Sequence, residues 1–202
     1  MYTGRKDLYQ NQNTMKNYLF SFILIFSIFL GVKISAQEVG FSPFLGVTIS
    51  NVNFRNGPST SDDIIKKIPA NSTVYIFSKT DYSGFYKSID VESGKVGWLA
   101  KNLVKWSKDV DTSSAGGFSS LGETSEYNSE LKVTNKSTKT ITLVISDKTF
   151  YISPQSTITK FIEPGNKNFT ASAPGVIPNS GYKTFSPNNG YEWTFWIETR
   201  RR

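Results

Sequence analysis

The chain contains no histidine and no cysteine. Without cysteine there is no disulfide, no thiolate nucleophile and no lipid-modified N-terminal Cys. Without histidine there is no Ser-His-Asp triad and no His-ligated zinc. Most peptidoglycan amidases and all cysteine peptidases are excluded on these grounds. Charge is also sparse: charged residues make up 19% of the 202 positions, against 14% aromatics. That balance belongs to a globular chain and not to a disordered one. The length suffices for one large domain or two small ones.

Long apolar runs are absent except near the N-terminus. From Met15 the sequence reads MKNYLFSFILIFSIFLGVKISAQ. Lys16 supplies a short positive region, Leu19 to Val32 is an apolar core, and Ile34-Ser35-Ala36 offers a small residue before a cut. This is the three-part pattern of a secretory signal peptide, and the core is shorter than the roughly 20 residues of a spanning helix. Residues 1–36 are therefore expected to be a cleaved signal peptide, leaving no stable transmembrane span; an uncleaved anchor, with Lys33 after the core, is the alternative. Met15 is the expected translation start. Removing 1–36 takes away four cations (Arg5, Lys6, Lys16, Lys33) and one anion (Asp7). The remainder carries 19 Lys+Arg against 15 Asp+Glu, net +4. Export and so small a charge argue against nucleic acid as a partner.

The expected fold class is all-β. Val47-Thr48-Ile49 runs into Val52 to Arg55, and Asn56-Gly57-Pro58-Ser59 is a loop signal. Ile64 to Ile68, Thr73 to Phe77, Phe85 to Val91 and Lys95 to Leu99 complete five strands, a spacing that suits a small barrel over 40–106. Residues 107–129 are rich in Ser, Gly and Thr and are expected to be a flexible linker, with Phe118 and Leu121 isolated within it. Residues 130–199 hold seven further short β-type runs, as in a β-sandwich. In the last of these, Tyr191, Trp193, Phe195 and Ile197 alternate onto one face, and Trp196 falls on the other, exposed unless covered. Arg200 to Arg202 form a basic tail.

Val52 to Val104 resembles the bacterial SH3-like (SH3b) domain. The likeness is carried by Asn53-Phe54-Arg55-Asn56-Gly57-Pro58-Ser59, Pro69 to Val74, Phe85-Tyr86-Lys87, Gly94-Lys95-Val96 and Gly97-Trp98-Leu99. It covers about 60 of the 202 residues. Phe54 stands where the family has a smaller β-branched residue, and Ser88 where it has an apolar one. The resemblance implies a small barrel that binds cell-wall peptides or protein partners, performs no chemistry and needs no cofactor.

The expected ligand-binding residues are Tyr82, Tyr86, Trp98, Asn56 and Arg55. Tyr82, Phe85 and Tyr86 cluster at a turn, where aromatic faces stack on peptide or sugar. Neighbours in a strand point to opposite faces, so Phe85 is read as inward and Tyr86 as outward. Trp98 fits a ligand groove and the core equally well. The Arg55 fork suits a stem-peptide carboxylate; an ion pair with Asp62 or Asp63 is the competing reading. Asp62-Asp63 is a poor metal site because adjacent side chains diverge. Glu123 and Glu126 fall in the expected linker, and Asp90 and Glu92 share one strand face, so no carboxylate pair suits glycosidase chemistry. The expectation is an exported, non-catalytic protein of the periplasm, cell surface or medium whose partner is a peptidoglycan peptide. An envelope protein bound by the C-terminal half, through Trp196 and the loop Ala171 to Val176, is the alternative partner.

Overall fold

The computed structural model describes residues 40–113 and 116–196. The signal peptide, the Met15 start, Ile197 and the basic tail lie outside these. The described residues belong to one compact unit, and the fold is all-β. Among them, no helix is long and apolar enough to cross a membrane.

Seven strands form the first sheet: β1 (Phe44–Thr48), β2 (Val52–Arg55), β3 (Ile64–Ile68), β4 (Thr73–Ile76), β5 (Phe85–Asp90), β6 (Lys95–Ala100) and β7 (Val104–Asp109). Their order is β3-β2-β6-β5-β4-β1-β7 and every pairing is antiparallel. The sheet does not close into a barrel; β3 and β7 are its free edges. It curls strongly. Lys66 of β3 pairs with Asp90 of β5 at 2.8 Å, although two strands lie between and a flat sheet would set them about 14 Å apart.

Three expectations change here. The run expected as one strand through Val47 and Val52 is two, β1 and β2, on separate partners. The strand β7 was not anticipated because only Val104 is even half-buried, so it shows no apolar alternation. The expected linker contains β8 (Ser119–Glu123), which pairs with the last strand of the chain. All five residues of β8 are exposed, so nothing in its composition marks it as a strand. What fixes it is Phe118 just before it, whose ring centroid lies 4.2 Å from Trp193 and 5.2 Å from Phe169.

The remaining strands are β9 (Ser129–Asn135), β10 (Ile141–Ile145), β11 (Lys148–Ile152), β12 (Ser156–Ile162), β13 (Gly165–Ser172), β14 (Asn179–Phe185) and β15 (Asn189–Phe195). They form a middle sheet, β11-β10-β13-β14, and an outer sheet, β12-β9-β15-β8. Between these two lies a core containing Leu131, Val133, Leu143, Phe169, Phe185 and Trp193. As expected, Tyr191 and Trp193 turn inward and Trp196 is exposed.

The middle sheet is buried on both faces. Ile141, Leu143 and Ile145 enter the sandwich core; Thr142, Val144, Thr170, Ser172 and Ser180 are equally buried on the opposite face. That face packs on the first sheet. Tyr75 Oη lies 2.7 Å from Ser180 Oγ and 3.0 Å from Thr170 Oγ1. Thr142 Oγ1 donates to the Gly94 carbonyl at 2.7 Å, and the Gly175 N–H donates to the Val91 carbonyl at 2.8 Å. Gly94 has φ 69° in the β5–β6 turn, and a Cβ there would sit 3.3 Å from Pro174, so glycine serves both the turn and the contact. The molecule is thus three β layers deep, and the two halves expected as independent domains share a buried face.

Candidate functional site

Strand β5 explains the site because its two faces meet different surroundings. Tyr86, Ser88 and Asp90 point into the curl of the first sheet, beside Phe44, Phe54, Ile76 and Leu99. Lys87 and Ile89 point the other way, toward the middle sheet. Near Ile89 and Tyr75 that face is fully covered. Toward Lys87 it emerges from beneath the middle sheet and opens as a cleft of about 230 Å³.

The floor of the cleft is a cross-strand pair. Lys87 of β5 stands directly opposite Trp98 of β6, so both side chains rise from the same face. Tyr82, held by reciprocal backbone hydrogen bonds with Phe85 at 2.8 and 2.9 Å, brings its ring to 6.1 Å from Trp98 at a tilt of 58°. Phe77 adds an apolar wall, and its ring lies 5.7 Å from Lys87 Nζ. Phe41 closes one side and is itself set edge-on to Tyr182 of β14 at 5.6 Å. The far rim comes from the middle sheet. Ser146 and Asp147 form the two-residue turn joining β10 to β11, where Ser146 has φ 53°, and Asn168 accepts the Ser146 N–H at 2.9 Å through its carbonyl.

Lys87 is half-buried, and burial pushes its amine below the usual lysine range while Asp147 pulls in the other direction. Among the described residues its amine makes no hydrogen bond and no ion pair. The neighbouring Asp81 differs. It accepts from Lys101 Nζ at 2.6 Å and from the Gly84 N–H at 2.8 Å, and these contacts hold its carboxyl below the usual range. Asp81 is thus paired, whereas among the described residues Lys87 and Asp147 form no salt bridge.

Comparison of the chain with protein-family models, with curated proteins and with solved structures finds no match.

The five residues expected to bind ligand are split up. Tyr82 and Trp98 meet in the cleft. Arg55 pairs with Trp98 on its other side, but its guanidinium donates to the Asp62 carbonyl at 2.6 Å. The anticipated partner is thus correct in position, but it is the backbone and not the carboxylate that is bound. Asn56 lines a different hollow with Ser93, Gly94 and Tyr151. Tyr86 does not stand at the surface. It is 9% exposed and packs edge-on to Phe44 at 5.6 Å. The inward-outward assignment of Phe85 and Tyr86 is reversed because the sheet is covered twice, so neither face reads as a solvent face. The loop Ala171 to Val176 is likewise engaged, through Pro174 and Gly175, with the first sheet. The sequence reading overlooked Lys87, Asp147 and Phe77. For Lys87 a signal existed: a lone lysine between Tyr86 and Ile89 in a strand flanked by aromatics.

Proposed function

We propose that this is an exported, non-catalytic binding protein whose N-terminal β half, similar to SH3b, recognises a peptidoglycan peptide in the cleft edged by Tyr82 and Trp98. One observation carries the reading: two aromatic rings, one of them 62% exposed, converge on a concave surface with the Lys87 amine at its floor, which forms no salt bridge among the described residues. Exposed aromatics beside polar groups of fixed position are the usual makeup of a small-ligand site. The chain without His or Cys supports a binding role over a catalytic one.

The test is co-sedimentation of the full mature chain with purified sacculi at low salt. The protein is expected in the pellet, and Tyr82→Ala is expected to move most of it to the supernatant. Wild-type protein that stays in the supernatant overturns the wall-binding role.

A second reading, an envelope adaptor or adhesion factor acting through the C-terminal half, draws support from Trp196. It is 64% exposed and borders a hollow with Trp193, Phe195 and Glu192. Cross-linking from position 196 in intact envelopes tests it; capture of a defined envelope protein favours this reading over wall binding.

A further inference from the structure

The cleft is built from both halves of the chain, and its unsatisfied charges are of opposite sign. Among the described residues Lys87 Nζ, half-buried on the floor, has no salt bridge and no hydrogen-bond acceptor, although Asp147 attracts it. Asp147, at the tip of the β10–β11 turn on the opposite rim, forms no salt bridge among the described residues. The two do not form an ion pair with each other. Phe77, Tyr82 and Trp98 line the same cleft.

We infer that the cleft takes the end of a short peptide as a zwitterion, its free carboxylate on Lys87 and an ammonium group on Asp147, with its apolar body against Tyr82 and Trp98. This rests on the reading of the cleft as a peptide site and adds the chemical feature that is selected. A half-buried cation gains more from a carboxylate than a solvated one, because less water is left to compete. One lysine facing one free aspartate is balanced by a ligand of no net charge. A polyanion such as a phosphate polymer would place excess negative charge beside Asp147, with only Lys87 to offset it. The second half is therefore part of the site and not a spacer, because Asp147 belongs to it.

The experiment is calorimetric titration of the full mature chain with Nα-acetyl-L-Lys-D-Ala-D-Ala, with the same peptide as its C-terminal amide, and with the peptide acetylated on its remaining amine as well. The first peptide is expected to bind at least tenfold tighter than the amide and several-fold tighter than the doubly acetylated form. Lys87→Met is expected to erase the acid-over-amide preference, Lys87→Arg to keep most of it, and Asp147→Asn to erase only the preference for the free amine. Thermal melts of each variant show whether the fold is kept. If acid and amide bind wild type equally, or Lys87→Met retains the preference, the inference is overturned. Equal binding of the two together with intact sedimentation on sacculi leaves the wall-binding reading standing and removes only the charge selection. If neither peptide nor sacculi bind, both fall.

Discussion

The phenol of Tyr75 lies 2.7 Å from the Ser180 hydroxyl, 105 positions away along the chain, and both side chains are fully buried. Tyr75 also meets Thr170 Oγ1 at 3.0 Å, and the two hydroxyls meet each other at 3.2 Å. This triangle joins the first sheet to the middle sheet. Tyr75→Phe removes two of its three contacts and leaves the ring packing intact. Thr170 and Ser180 still bond each other, so the cost is expected at about 1–2 kcal/mol. For a chain of this size that is a fall in melting temperature of roughly 2–8 °C. The transition is expected to remain single in both proteins, read by calorimetry. Two resolved transitions in wild type would mean that the halves unfold separately and that this triangle does not couple them.

Alkaline stability follows from the same residue. Burial pushes the Tyr75 phenol up from 10.0 to about 12, against the smaller opposing pull of the two hydroxyls. The folded state therefore favours the neutral phenol. The stability this contributes is whole below pH 10 and is lost as pH climbs through 12, about 3 kcal/mol in all. Denaturant midpoints at pH 9 and pH 11.5 are expected to fall less in Tyr75→Phe than in wild type. An equal fall in the two proteins would show that Tyr75 is not the group responsible.

Much of the fold could be read from the chain, and the failures share a cause. Strands with one buried face announce themselves: Tyr191 and Trp193 alternate inward as the pattern of residues 191–197 requires. Edge strands such as β7 and β8 bury almost nothing and so leave no pattern. Doubly covered strands fail in the opposite way. The side chains of β5 alternate between two interiors, so polarity did not tell Tyr86 from Phe85. Phe54 and Ser88, read from the sequence as departures from an SH3b pattern, both border Gly97. A Cβ on Gly97 would stand 2.7 Å from the Phe54 ring, and Ser88 is the cross-strand partner of Gly97. The Phe54 ring on β2 is thus accommodated by the glycine on β6. Of the site, the aromatic pair Tyr82 and Trp98 was legible. The charges were not, because Asp147 reaches the cleft only through the packing of the middle sheet on the first.

Asn135 is a buried polar bracket in the sandwich. Its side-chain amide donates to the carbonyls of Lys139, Ile152 and Ser153 at 2.8–3.0 Å, and its oxygen accepts from the Ser137 N–H and hydroxyl at 2.9 and 2.7 Å. It thereby ties the β9–β10 turn to the β11–β12 turn. Asn135→Ala orphans several buried groups at once and is expected to cost about 3 kcal/mol. Asn135→Asp keeps the shape but cannot donate when ionised, and is expected to be at least as damaging at pH 7. Urea midpoints check both. A loss below about 1 kcal/mol in Asn135→Ala would show that water replaces the amide readily.

Tyr82 and Tyr86 stand four residues apart and are expected to behave in opposite ways. Tyr82 is 62% exposed at the lip of the cleft, so Tyr82→Ala removes little packing. Its melting temperature is expected within about 2 °C of wild type, since exposed substitutions of this kind stay near 0.5 kcal/mol. Binding to sacculi is expected to fall about tenfold, the loss of one stacking partner worth about 1.4 kcal/mol. Tyr86 sits inside the first sheet against Phe44, with Lys101 Nζ 5.8 Å from its ring. Tyr86→Ala opens a cavity there and is expected to cost about 3 kcal/mol or more. Binding per folded molecule is expected to be nearly unchanged, because the Tyr86 ring does not face the cleft. The two variants are compared by thermal melt and by sedimentation at a temperature where both are folded. A Tyr86→Ala protein that is stable yet fails to bind would put the ligand on the opposite face of β5 and displace the Tyr82–Trp98 cleft as the site.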